Sequence, residues 1–151
     1  MPNDIDKIID DVLEREGGAA VTNLPEDRGG RTQYGISERF HKDAWADGKV
    51  TEAEARTIYE QKYVRGPGFS NIPESHPHTQ AMMVDWSVNS GPQLATAELQ
   101  RIVGATPDGK FGSKTLVALL AIDDRSLTNL LVAARIRMIG RIVQKRPSQL
   151  K

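Results

Sequence analysis

The first helical pattern of this chain stops abruptly, and that stop limits how the next segment can fold. Apolar residues recur at the spacing of one helix face, with Asn3 or Asp4 available as the N-cap: Ile5, Ile8, Ile9, Val12 and Leu13. Gly17 and Gly18 then follow Glu16, and glycine readily adopts the left-handed conformation that closes a helix. The pattern therefore predicts a first helix whose last turn carries Glu16.

The segment from Gly17 to Ile36 is rich in glycine, proline, asparagine and aspartate, which indicates a loop or a small hairpin. Glu16 would face the negative end of the helix dipole, which disfavours its ionised form. A carboxyl group that keeps its proton can protonate a departing sugar oxygen. Asp27, in a polar loop flanked by glycine, should stay ionised, and Thr32 could hold an attacking water. These features suggest a lysozyme-like sugar hydrolase.

Ordinary structural roles account for the same residues. A glutamate at a helix end is usually solvated surface, Asp27 is compatible with an Asx turn, and Thr32 is compatible with a strand. Gly29 and Gly30 would let a bulky polysaccharide approach the backbone. The spacing alone leaves both interpretations open.

The rest of the chain is predominantly helical in pattern. Ser37 is a candidate cap for a short helix that carries Phe40 and Trp45, and Thr51-Glu52-Ala53-Glu54 has the form of a capping box. Further helices are predicted over about 51–64, 81–91, 94–103, 113–120 and 126–144. With 151 residues, one mainly α domain is expected, in two lobes around a cleft.

Composition excludes several classes of function. Lys plus Arg and Asp plus Glu are each 20, so no net charge attracts the chain to nucleic acid. There is no cysteine, no apolar run of bilayer length and no basic start typical of a signal peptide. His76 and His78 lack a third ligand nearby and are interpreted as surface histidines. Neither a metal nor another cofactor is expected.

Two segments carry a resemblance to a known family. They are Glu16-Gly17-Gly18 and Asp27-Arg28-Gly29-Gly30-Arg31-Thr32-Gln33-Tyr34-Gly35-Ile36. Together they resemble the signature of glycoside hydrolase family 108, the phage-type N-acetylmuramidases. The likeness continues over 51–63 and into Asp85-Trp86-Ser87-Val88-Asn89-Ser90-Gly91 and Asp108-Gly109-Lys110-Phe111-Gly112, which resemble the family's peptidoglycan-binding part.

The resemblance implies a lysozyme-like fold with a catalytic lobe over 1–72 and a helical, peptidoglycan-binding-like lobe over 73–151. It also implies cleavage of the bond between N-acetylmuramic acid and N-acetylglucosamine. Glu16 would be the general acid, with Asp27 and Thr32 positioning water for an inverting reaction. Gly29, Gly30, Tyr34 and Asn89 are the candidate substrate-binding residues, although Tyr34 also suits a buried hairpin position and Asn89 a helix cap.

The resemblance also implies a biological setting. A monomer would act on peptidoglycan glycan strands without stable membrane insertion. It would stay in the host cytoplasm until a holin releases it to the periplasm and cell wall, or it would travel on a virion tail. Two alternatives stay open: an inactive peptidoglycan-binding or virion structural module, and a lytic transglycosylase, which needs the acid but no base.

Overall fold

The computed structural model describes residues 4–23 and 30–145. Within these ranges the chain forms six α-helices: α1 (Ile5–Arg15), α2 (Glu52–Glu60), α3 (Pro77–Ser90), α4 (Pro92–Val103), α5 (Ser113–Leu120) and α6 (Asp124–Lys145). Strands β1 (Thr32–Gln33) and β2 (Ile36–Ser37) pair antiparallel, with Thr32 opposite Ser37. A π-helical turn, Gln61–Arg65, extends α2, and a 3₁₀ turn covers Phe69–Asn71. The prediction of a mainly α chain with a small hairpin after the first helix is confirmed.

The short helix predicted to begin at Ser37 does not form, and turns replace it. Trp45 is buried and its indole N–H donates to the carbonyl of Ile36 at 3.1 Å, so the segment is tied to the hairpin instead of packing one helical face. Phe40, the other large apolar residue of the predicted helix, is 73% exposed. A helix there would lack the apolar stripe that stabilises short helices.

The chain divides into two compact units, and the first covers residues 4–66. It contains α1, the hairpin and α2. Asp4 caps α1 by accepting the amide of Lys7, and Thr51 and Glu54 form the predicted capping box of α2. Helices α1 and α2 pack together, and Arg56 on α2 pairs with Asp10 on α1. Helices α1 and α2 are thereby held together in the first unit.

The second unit contains the described residues from 67 to 145. Helix α3 is central in it and contacts α4, α6 and the 3₁₀ turn. Its apolar residues Met83, Val84 and Trp86 are fully buried. No helix among residues 4–23 and 30–145 is both long and apolar enough to cross a membrane.

The start of α3 is capped by a residue distant in sequence. Asp124 accepts hydrogen bonds from the amide of Thr79 at 2.8 Å, from its hydroxyl at 2.7 Å, and from the amide of His78 at 3.1 Å. Burial on its own would raise the pKa of Asp124, but these hydrogen bonds from Thr79 and His78 outweigh it and hold that pKa below its ordinary value. Asp124, the first residue of α6, thus bonds to the first turn of α3.

The interpretation of both histidines as surface residues is wrong for one of them. His78 is exposed, but His76 is buried and its Nε2 donates to the carbonyl of Ile122 at 2.7 Å. The hydroxyl of Ser75 lies 2.8 Å from the other ring nitrogen of His76. Both nitrogens of the buried ring therefore have partners, which explains how the ring is accommodated.

Candidate active site

Glu16 stands where α1 ends and the chain reverses. Its amide donates to the carbonyl of Val12 at 2.9 Å, and Gly17 and Gly18 follow with φ values of +99° and +59°. The carbonyl of Gly18 then accepts the amide of Tyr34 at 3.0 Å. The two glycines therefore connect the helix end that carries Glu16 to the turn between β1 and β2.

Gly35 brings the hairpin turn directly against the Glu16 side chain. A Cβ atom at residue 35 would lie 2.9 Å from Cβ of Glu16 and 3.1 Å from its carboxylate oxygen Oε2. It would lie only 2.4 Å from the hydroxyl oxygen of Tyr59. Gly35 has a φ of +74°, a conformation that L side chains rarely adopt. Close approach and backbone conformation both require glycine at this position.

Tyr59 supplies a second contact from α2. It is 3% exposed, and its hydroxyl donates to the carbonyl of Tyr34 at 2.8 Å. Burial raises the pKa of Tyr59, and its electrostatic interaction with Glu16 raises that pKa further. The phenol consequently stays protonated, and its single O–H holds the Tyr34 carbonyl beside Glu16.

The sequence predicts a helix over 51–64 that contains Tyr59 but gives this residue no role in the site. A usable signal existed, because a tyrosine on a buried helix face needs a partner for its hydroxyl. The partner itself, a carbonyl 25 residues earlier, could not be deduced from spacing.

Thr32 belongs to the same hairpin. Its amide donates to the carbonyl of Thr22 at 2.8 Å, and the amide of Thr22 donates back at 2.9 Å. Thr32 is therefore a strand residue, but its side-chain oxygen is buried without a hydrogen-bond partner among the described residues. An unpaired buried hydroxyl costs free energy and keeps its donor and acceptor capacity unused.

An ion pair closes the other end of the hairpin. The guanidinium of Arg31 donates to both carboxylate oxygens of Glu38, at 2.9 and 2.8 Å, and lies 4.9 Å from the ring centroid of Trp45. The hydrogen bonds from Arg31 hold the pKa of Glu38 below its ordinary value. This bidentate contact fixes the chain beside Thr32.

The structure brings three of the predicted site residues into one continuous arrangement: Glu16, Thr32 and Tyr34. Gly30 is described as well, with a φ of +73°. Asp27 and Gly29 lie outside the described residues, so the predicted pairing of Glu16 with Asp27 stays a prediction.

Asn89 lies in the second unit. It is exposed on α3, and its side-chain amide donates to the carbonyl of Asp85 one turn earlier, at 2.9 Å. This bond braces the last turn of α3 and occupies one of the amide's two donors. The amide oxygen forms no hydrogen bond with described residues.

A groove of about 840 Å³ lies elsewhere in the first unit. Residues 39–44 line it together with Ala53, Glu54, Thr57 and Ile58 of α2. Neither Glu16 nor Thr32 lines this groove. Within the described ranges, no cluster of three or more histidine, cysteine or acidic residues is arranged to hold a metal ion.

Comparison with solved structures defines the class of protein. Eleven solved chains match, among them SagA of Brucella abortus, which has a lysozyme-like fold. SagA is 29% identical to this chain, with a TM-score of 0.68, and the match covers 96% of this chain and 90% of SagA. No curated protein sequence matches the chain closely enough to count as a relative. The chain therefore has a mainly helical, lysozyme-like fold, as predicted.

The family follows from the sequence itself. The model of the family described as glycosyl hydrolase 108 matches residues 9–91, which include Glu16, Thr32, Gly35 and Tyr59. The chain belongs to this family. Membership supports a glycoside hydrolase that degrades peptidoglycan.

Proposed function

We propose that this protein is an N-acetylmuramidase that hydrolyses the β-1,4 bond between N-acetylmuramic acid and N-acetylglucosamine in peptidoglycan glycan strands. The observation that carries the proposal is the packing of Gly35 and Tyr59 around the side chain of Glu16. A catalytic acid works best when its geometry is fixed by neighbours that do not move. No cofactor takes part in the proposed reaction.

Glu16 is proposed as the general acid that protonates the leaving sugar oxygen. Asp27 would act as the base for an attacking water, and Thr32 would hold that water through its otherwise unpaired hydroxyl. An inverting reaction of this kind needs a gap of roughly 6.5–9.5 Å between the two carboxyl groups. Gly29, Gly30, Tyr34 and Asn89 are proposed to contact the glycan, and delivery by a holin or a virion tail belongs to the same proposal.

The test compares Glu16→Gln with Glu14→Gln, a matched change in the same helical turn at an exposed position. Glu16→Gln removes the proton donor and is expected to lower the rate by about 10²–10⁴-fold. Glu14→Gln should act like the native chain. The readouts are clearing of chloroform-treated Gram-negative cells and solubilisation of purified peptidoglycan. Equal rates for the native chain and Glu16→Gln would overturn the assignment.

The products separate hydrolysis from the transglycosylase alternative. Mass spectrometry of the released muropeptides should find reducing muramic acid ends, because water is the proposed nucleophile. Anhydro-muramic ends would instead identify a lytic transglycosylase. Binding to peptidoglycan without product release would identify an inactive binding module.

A further inference from the structure

The last three turns of α6 contain no buried residue. The buried residues of α6 end at Ala134, and residues 135–145 are all exposed or half-exposed. Ile136 is 64% exposed, Ile139 50% and Ile142 47%. Large aliphatic side chains therefore stand in water at a place where the helix could have carried polar residues.

These exposed side chains form a stripe. Val132, Ile136, Ile139 and Val143 follow one another at intervals of four, three and four residues, which places them on one face of a helix, with Ile142 beside them. Val132 is 38% exposed as well. The stripe therefore runs along α6 from Val132 to Val143.

Basic residues occupy the far side of the same turns. Arg137, Arg141 and Lys145 are exposed, recur every four residues, and form no ion pair with other described residues. From Ser126 to Lys145 there is no acidic residue, although the chain as a whole has a net charge of zero. Arg135 is the exception in this segment, since it pairs with Asp85.

We propose that residues 135–145 bind the surface of an anionic lipid bilayer, with α6 lying in the plane of the interface. An apolar stripe opposed by arginine and lysine is the pattern of an interfacial helix. The isoleucines would enter the boundary between headgroups and acyl chains, and the long basic side chains would reach the lipid phosphates. At about 1.5 Å per residue, these 11 residues extend about 16 Å, too short to cross a bilayer.

The charge pattern favours lipid over the other occupants of such a face. A nucleic acid would use the basic row but leave the isoleucines in water. A second copy of the chain would cover the isoleucines but give the basic row no anionic partner. An anionic bilayer would bury the isoleucines and also give the basic row anionic partners. This proposal does not depend on the proposed hydrolytic function.

The experiment measures co-sedimentation of the full chain with lipid vesicles. One set contains phosphatidylcholine alone, and in the other about a quarter of the lipid is phosphatidylglycerol. The chain is expected to bind the anionic vesicles at low salt and to leave them as salt increases. Failure to bind the anionic vesicles would overturn the proposal.

Two pairs of variants test the two sides of the helix. Ile136→Gln with Ile139→Gln removes the stripe, and Arg137→Gln with Arg141→Gln removes two cations. Each pair should weaken vesicle binding by about tenfold or more. The matched controls have the same spacing on or near α5: Val117→Gln with Leu120→Gln, and Lys110→Gln with Lys114→Gln. Both control pairs should bind like the native chain.

Circular dichroism and solubilisation of purified, lipid-free peptidoglycan accompany every variant. Both should be unchanged in the α6 variants, which separates this proposal from the proposed enzyme function. Native-like vesicle binding by either α6 pair would overturn the proposal. A dimer that dissociates on Ile136→Gln with Ile139→Gln, in a chain that ignores vesicles, would assign the stripe to contact between copies.

Discussion

Two successive residues with positive φ form the turn between β1 and β2. Tyr34 has a φ of +52° and Gly35 a φ of +74°, and a two-residue hairpin turn of type I′ needs both in this region. Asparagine usually occupies the first position, and a bulky residue there costs of order 1–2 kcal/mol. The hydrogen bond from Tyr59 to the Tyr34 carbonyl helps to hold this strained turn beside Glu16.

Gly35→Ala is predicted to impair both stability and hydrolysis. The new Cβ would meet the Tyr59 hydroxyl and the Glu16 side chain, so both must shift. We expect a rate loss of about tenfold or more, because small displacements of a catalytic group have large kinetic effects. Peptidoglycan solubilisation and thermal unfolding measure the two effects.

Gly104→Ala is the matched control for backbone conformation. Gly104 has a φ of +77°, and a Cβ there would find no atom within 4 Å. Gly104→Ala should therefore lower the free energy of unfolding by about 1 kcal/mol and leave the rate of hydrolysis unchanged. Adding Tyr59→Phe to Gly35→Ala removes the closest clash and should recover part of the lost stability. If Gly35→Ala behaves like Gly104→Ala in both assays, Gly35 has no special part in positioning Glu16.

At the scale of elements, Asp124 is the residue whose ionisation supports a helix start. Because its pKa is lower in the folded chain than in the unfolded chain, its contribution is complete above about pH 4 and is lost as the pH falls through the folded value. Asp124→Asn should therefore lower the free energy of unfolding at pH 7 by about 1–2 kcal/mol. The difference in unfolding free energy between Asp124→Asn and the native chain should become smaller in acid.

Asp11→Asn, at an exposed position on α1, is the control for loss of a carboxylate. Its unfolding free energy should match that of the native chain at pH 7. Denaturant unfolding at neutral and acidic pH measures both variants. A deficit of Asp124→Asn that stays constant into acid would show that its charge does not stabilise α3.

The elements also show how far the sequence could predict the structure. The capping box of α2 lies within four residues, so it could be predicted from local pattern and is present. The cap of α3 comes from a residue 45 positions away. The short helix predicted at Ser37 does not form, because Trp45 bonds to the hairpin instead. Local signals predicted the six helices that form, whereas contacts between distant segments supplied the cap of α3 and tied the segment after Ser37 to the hairpin.

The same division holds for the candidate site. The family motif singled out Glu16 and Thr32: Glu16 ends α1, and Thr32 lies in the hairpin whose turn is bonded to Gly18 just after that end. The closeness of Gly35 and Tyr59 to Glu16 could not be predicted, because it depends on how α2 packs against α1. Packing of this kind leaves no spacing pattern in a sequence.

At the scale of the whole molecule, zero net charge removes long-range attraction to a charged polymer. Solubilisation of purified peptidoglycan is therefore predicted to change by less than about threefold between low and physiological salt. A strong fall in solubilisation as salt increases would show that local charge, not fit to the glycan, governs binding. Assays over a salt series with the native chain measure this directly.

The bonds from Asp124 to the start of α3 also affect the dynamics of the second unit. The amide protons of His78 and Thr79 are held by a carboxylate on α6, not by a residue of their own helix. Exchange of these protons with solvent deuterium therefore requires the beginning of α6 to separate from α3. Their exchange rates would follow that local opening in a chain whose other helices remain folded.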